Sequence, residues 1–280
     1  MACENAKSNY CNENVHNIVE KMMQGQFKED YIGGLFNDPE YPTFEKLEEC
    51  IQYLQEYVPL HLPQIEKVLE TILPCFINPA RPIKILDYGS GPATVALAFC
   101  RLLPRLNNKH RLKITTVETS EEFNNMINIF RAENANESIK IAACFKYGLL
   151  DDRLMDDKSI FQIGHNWIIM ANVLSAIGKD MGFKEVNGKL NRFIYNMLLY
   201  SRNVLLTIVE TSTITYFNAP DYLSKIETIG FDNLKIIGTT PPVINERIDA
   251  PWIMNCKFYR TGNDCSSPII NSKSLLLGLK

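Results

Sequence analysis

The chain is short of the side chains that build metal sites and disulfide frameworks. Its four histidines, at positions 16, 61, 110 and 165, stand far apart. Its cysteines (Cys3, Cys11, Cys50, Cys75, Cys100, Cys144, Cys256 and Cys265) include no C-x-x-C pair, and none sits with a histidine at zinc-finger spacing. A metal site is therefore not expected, and the thiols read as reduced, several of them buried as small apolar groups. No run is long and apolar enough to suggest a membrane span. The first ten residues, MACENAKSNY, lack the apolar core of a secretory signal. These absences predict a cytoplasmic protein without a membrane partner. An excess of positive charge is also missing. The net charge of −3 and pI of about 5.9 argue against a broad phosphate-binding surface. At 280 residues the chain can hold one large domain, or a core domain with a cap.

What is present is concentrated in residues 83–103, IKILDYGSGPATVALAFCRLL. Ile83, Ile85 and Leu86 form a short apolar run, as in a strand covered on both faces. Asp87-Tyr88-Gly89-Ser90-Gly91 breaks that run. Pro92 fits the first turn of a helix, where its missing N–H costs nothing. Val95, Leu97, Ala98, Phe99, Leu102 and Leu103 give that helix a broad apolar face. Two glycines in such a turn let the backbone approach a ligand closely, and the free N–H groups at the helix start favour an anionic group. A dinucleotide fingerprint would need a glycine where Thr94 stands. An acid two positions before the first glycine suits a different ligand, one carrying an ammonium and a sulfonium, and Asp87 is in that place.

The segment resembles motif I of the class I S-adenosylmethionine-dependent methyltransferases, D/E-x-G-x-G-x-G, with Ala93 in place of the third glycine. The resemblance implies an α/β fold of Rossmann-like type. Its seven-stranded, mostly parallel sheet would run in the order 3-2-1-4-5-7-6 with the last strand antiparallel. It also implies S-adenosyl-L-methionine as cofactor, contacted by Asp87, Tyr88, Gly89, Ser90 and Gly91 and, further along the chain, by Glu118, Thr119 and Asn172.

The remaining chain fits that plan. About 80 residues of helical character come first. Their apolar faces are Val15, Ile18, Val19 and Met22; then Phe44, Leu47, Ile51 and Leu54; then a helix from Pro63 carrying Ile65, Val68, Leu69, Ile72 and Leu73. They read as a cap, residues 1–80, with Tyr31, Phe36 and Tyr41 in an intervening loop as candidate substrate contacts. The methyltransferase domain is expected over 81–262, and a tail over 263–280. A second strand, 112–117, ends at Glu118, placed to accept hydrogen bonds from ribose hydroxyls. Thr119 and Glu122 fit a capping box for the next helix. A third strand, 138–145, leads to Leu150 and Asp151, which by resemblance border the adenine. A fourth, 166–171, leads to Asn172 and Ser175, and a fifth, 204–209, to Glu210. These three are the candidate catalytic residues facing the acceptor. Last strands are expected at 234–237 and 252–259.

Two further motifs are missing. No N-P-P-Y-type sequence follows the fourth strand, and no Pro-Cys pair stands there, so the routes to nucleobase methylation that use them are disfavoured. The reaction expected is methyl transfer to a small-molecule acceptor, with a peptide or protein side chain second and RNA third. An interaction module built on a degenerate methyltransferase fold is the non-enzymatic alternative.

Overall fold

The computed structural model describes residues 13–24, 44–76, 81–148, 151–174, 181–211, 218–239 and 270–280. Three helices open the described chain: α1 (Glu13–Met22), α2 (Leu47–Glu56) and α3 (Val58–Ile72). Then follow β1 (Ile83–Tyr88), α4 (Thr94–Arg105), β2 (Leu112–Val117), α5 (Glu121–Glu133) and β3 (Ile139–Phe145). Two short helices, α6 (Asp152–Asp156) and α7 (Lys158–Gln162), precede β4 (Trp167–Ala171). The chain continues through α8 (Phe183–Leu198), β5 (Val204–Thr211), α9 (Ala219–Ile229), β6 (Leu234–Thr239) and β7 (Ile270–Leu279). Among the described residues no helix is long and apolar enough to cross a membrane.

The strands form one sheet in the order β3-β2-β1-β4-β5-β7-β6. β1 to β5 pair in parallel, and β7 runs antiparallel to both β5 and β6. This is the order and polarity of the class I methyltransferase fold.

Alternation along each strand divides the core in two. Ile83, Ile85, Ile114, Trp167 and Ile169 pack on one face with α1 to α5. Leu86, Tyr88, Ile168, Met170, Leu206 and Ile208 pack on the other with α6 to α9. The same alternation sends Asp87 to the face that the N-terminal helices cover. Those helices are fastened to the one that follows the glycine turn. Arg101 of α4 meets Glu66 of α3 at 2.9 Å, both nearly buried, and Arg105 approaches the same carboxylate at 3.6 Å. A buried pair of this kind adds little net stability but sets how the two helices meet.

Away from the site, two boundaries differ from the sequence reading. α3 starts at Val58 rather than Pro63, because Pro59 takes the first turn, where a missing N–H is tolerated; Pro63 lies inside the helix. The seventh strand is Ile270–Leu279, in what reads as the tail. The strand expected at 252–259 lies outside the described residues. The serines hide β7 in the sequence. Ser272 and Ser274 occupy alternate positions and look polar, yet both are buried. The Ser274 and Thr207 hydroxyls are hydrogen-bonded at 3.0 Å, and Thr207 Oγ1 accepts from Trp167 Nε1 at 2.9 Å. Leu275 and Leu277 pack against α8 and α9 from this strand, which lies between β5 and β6.

Candidate active site

The site is built at the carboxyl end of β1, beside β4, where the strand order reverses. In open α/β sheets ligands bind at that crevice. The turn after β1 has three alternate left-handed residues: Gly89 (φ +70°), Gly91 (φ +51°) and Ala93 (φ +62°). Glycine adopts this conformation freely, whereas an L-residue with a Cβ is strained by about 1–2 kcal/mol. The third glycine of the motif is thus replaced in sequence but kept in backbone shape. Helix α4 begins at Thr94, two residues later than the sequence suggests, because left-handed Ala93 is its N-cap and Pro92 belongs to the turn. Ala93 is fully buried. Ala93→Gly is therefore expected to fold within about 1 kcal/mol of the native chain, relief of strain offsetting the lost methyl. Ala93→Val is expected to cost at least ~2 kcal/mol, the sum of overpacking and a β-branched residue at positive φ. Urea unfolding of the two variants checks both.

Asp87 is the penultimate residue of β1 and is 1% exposed. Among the described residues neither of its carboxylate oxygens has a hydrogen-bond partner. Two buried hydroxyls nearby in the chain and sheet, Ser90 Oγ and Thr116 Oγ1, are also without a partner among the described residues; Thr116 is the register neighbour of Asp87 on β2. Burial drives the Asp87 carboxyl well above its ordinary range, and the charge of Glu118 adds to that. An orphaned buried carboxylate is costly unless a donor or a cation joins it. The site therefore fits a ligand bearing an ammonium group.

Glu118 stands just past β2 and holds the turn in place. Its Oε2 accepts the Gly91 N–H at 2.8 Å. Its Oε1 accepts the Thr119 and Ser120 N–H groups at 2.8 and 3.0 Å. Burial raises its pKa, and these three N–H donors pull it back. A carboxylate offers about four acceptor positions, so capacity remains for roughly one further donor. The helix cap lies one residue later than the sequence predicts. Ser120, not Thr119, is the N-cap of α5 and accepts the Phe123 N–H at 3.1 Å. Thr119 is exposed, and its backbone alone serves the carboxylate.

Other expected residues are used differently. The Tyr88 side chain is buried on the opposite face, edge-on to Phe193 at 5.1 Å, so its side chain is not at the turn. Asp151 caps α6 through the Arg153 N–H and pairs with the Arg153 guanidinium at 2.6 Å, which lowers its pKa. It is thus already engaged. Asn172 is half-buried at the end of β4 in the left-handed region, φ +56°, with its N–H on Val209 O. Asparagine tolerates that conformation better than most residues. Glu210 is fully buried, and its Oε1 accepts the N–H groups of Val173 (2.6 Å) and Leu174. It anchors the segment after β4. Glu210→Ala would leave those two N–H groups unsatisfied and is expected to lower stability by about 2–4 kcal/mol, with Glu210→Gln losing less than half as much. Thermal unfolding of both variants tests this. Leu150, Ser175, Tyr31, Phe36 and Tyr41 lie outside the described residues.

The structure adds residues to the site that the sequence reading does not place there. Tyr53 of α2 overhangs the glycine turn: a Cβ on Gly91 would lie 3.9 Å from Tyr53 Cε1. Its hydroxyl is 3.3 Å from His61 Nδ1. His61 is buried and its pKa falls to about 4, so the imidazole is neutral in the physiological range. Phe44, which precedes α2 rather than lying on it, is held by Ser120 Oγ donating to its carbonyl and by Glu49 accepting its N–H. Helical periodicity marks Ile51 and Leu54 as the buried face of α2 but says nothing of Tyr53, which is half-buried beside them.

No protein-family model matches the chain, and no curated protein matches it. Solved structures do resemble it. One is a SAM-dependent methyltransferase from Aquifex aeolicus, 12% identical, with a TM-score of 0.44 over 81% of this chain and 96% of that one. Another is the CurJ carbon methyltransferase, 13% identical, TM-score 0.46, over 99% and 70% of the two chains. A third is the N-terminal domain of human METTL16 in complex with SAH, 13% identical, TM-score 0.42, over 96% of each. The strand order defines the fold class independently of these superpositions.

Proposed function

We propose that the chain binds S-adenosyl-L-methionine and transfers its methyl group to a small-molecule acceptor. The observation that carries this reading is Asp87. It is a buried carboxylate without a partner among the described residues, at the end of the central strand and against a turn of left-handed residues. Asp87 would hold the ammonium of the cofactor, the backbone of Gly89 to Gly91 would approach it closely, and Glu118 would accept from the ribose. When bound, the cofactor supplies a methyl on a sulfonium, whose departure as a neutral thioether needs no acid.

The protein's own part is then to align the acceptor and exclude water. Such a role suits a site in which Asp151 and Glu210 already serve structural hydrogen bonds. Asn172 and Ser175 would line the acceptor side, and residues 1–80, with Tyr31, Phe36 and Tyr41, would close over it. An acidic chain with a large helical cap supports a small acceptor in a cytoplasmic setting over RNA. Calorimetric titration with S-adenosylmethionine, S-adenosylhomocysteine and NADH tests the assignment. Micromolar binding of the first two without the third is expected. Failure of all three would leave an interaction module on a methyltransferase fold.

A further inference from the structure

Three polar side chains at the carboxyl ends of β1 and β2 are buried with no hydrogen-bond partner among the described residues. They are the Asp87 carboxylate, the Thr116 hydroxyl and the Ser90 hydroxyl. None is more than 6% exposed, and Asp87 and Thr116 are at most 1% exposed. The fold gathers them. β1 and β2 are parallel with Asp87 opposite Thr116, so the two side chains leave the same face of the sheet, on strands about 4.8 Å apart. On its other flank Asp87 has Ile169 of β4, an apolar neighbour with nothing to offer a polar ligand. Ser90 is drawn to the end of β2, its N–H donating to Val117 O at 3.2 Å. The Glu118 carboxylate, two residues beyond Thr116, already accepts three backbone N–H groups.

The count of hydrogens decides what such a group can hold. A buried hydroxyl without a partner is destabilising, and neither of these two donates to the carboxylate beside it. An ammonium carries three N–H donors that diverge from one nitrogen. A carboxylate on one side of it can meet one or two of them, and the rest need acceptors from other directions. Hydroxyls flanking the carboxylate supply those acceptors. We infer that Thr116 and Ser90 complete an ammonium pocket with Asp87, making the site selective for adenosyl sulfur compounds that carry a free amino acid group. This rests on the cofactor assignment proposed above.

The test compares S-adenosylhomocysteine with 5′-methylthioadenosine, which has the same thioether and nucleoside but no amino acid group. Both are titrated by calorimetry into the full chain and into Thr116→Val, Thr116→Ser and Ser90→Ala. Thr116→Val removes the hydroxyl and keeps the shape. Its affinity for S-adenosylhomocysteine is expected to fall about tenfold or more, and that for methylthioadenosine to stay within about twofold of native. The same variant is expected to melt, without ligand, at or above the native temperature, because it loses a buried hydroxyl and no hydrogen bond. Thr116→Ser keeps the hydroxyl and should bind both ligands within about threefold of native. Should valine prevent folding, Ser90→Ala carries the comparison, with a fall of about threefold or more for S-adenosylhomocysteine alone. Equal weakening of both ligands, or native affinity in Thr116→Val and Ser90→Ala, overturns the pocket; loss of S-adenosylhomocysteine affinity in Asp87→Asn would still leave the cofactor assignment standing. Absence of binding of S-adenosylhomocysteine to the native chain overturns both.

Discussion

Asp87→Asn is expected to make the ligand-free protein more stable and to cost it about 100-fold in affinity for S-adenosylmethionine. The two effects have one cause. In the native chain a carboxylate is buried at the end of β1 with no hydrogen-bond partner among the described residues. A neutral amide of the same shape removes the charge but not the packing. The gain should be roughly 1–3 kcal/mol, seen as a melting temperature raised by about 2–4 °C per kcal/mol. Ligand should then stabilise the native chain and hardly stabilise the variant. A variant that melts lower than native, or that binds as tightly, would contradict the role given to Asp87.

The pH dependence follows with a definite sign. The folded-state pKa of Asp87 is raised above its unfolded value of about 3.9. The ligand-free fold therefore binds this proton more tightly than the unfolded chain does. The contribution of Asp87 to ligand-free stability is most favourable at or below pH ~4 and is lost as pH rises towards the folded value. Cofactor affinity should move the other way, rising over the same window as the carboxylate forms, and binding should release a proton. Calorimetry in two buffers of different ionisation enthalpy would reveal that proton. Its loss in Asp87→Asn would assign it.

The second large effect is expected at Glu118. Glu118→Ala orphans the N–H groups of Gly91, Thr119 and Ser120 together. A loss of about 2–4 kcal/mol in stability is expected, along with roughly tenfold or greater loss of cofactor affinity. Glu118→Gln keeps one amide oxygen as acceptor, enough for part of the Oε1 contacts. It should recover much of the stability while affinity stays low. Chemical unfolding and titration on the same two variants separate the structural duty from the ligand duty. A folded glutamine or alanine variant with native affinity would remove Glu118 from the cofactor site.

Several parts of this site were legible residue by residue. Ile83, Ile85 and Leu86 announce a doubly covered strand, Gly89 and Gly91 a turn of close approach, and Asp87 and Glu118 acids at adjacent strand ends. These are local signals: an apolar run, a glycine, a strand terminus. Ala93 shows the limit. Its sequence breaks the motif, yet the backbone keeps the left-handed shape, because the packing around a buried alanine can hold a strained φ that composition does not reveal. Glu210 and Asp151 show another. Both stand where the resemblance puts functional polar groups, but the segments that donate to Glu210 and the helix that Asp151 caps are known only once the chain is folded.

The sequence by itself determined the alternation of strand and helix, the glycine turn, and the chemical type of the group at its mouth. Those depend on periodicity and on backbone freedom, which neighbouring residues carry. Tertiary structure alone decided that Ile270–Leu279 is the seventh strand, since burial of Ser272 and Ser274 depends on partners such as Thr207 far away in the chain. It alone decided that Asp87 has no partner among the described residues and that Tyr53 lies over Gly91. Desolvation and close contact are properties of the packed molecule, and no local pattern of residues encodes them.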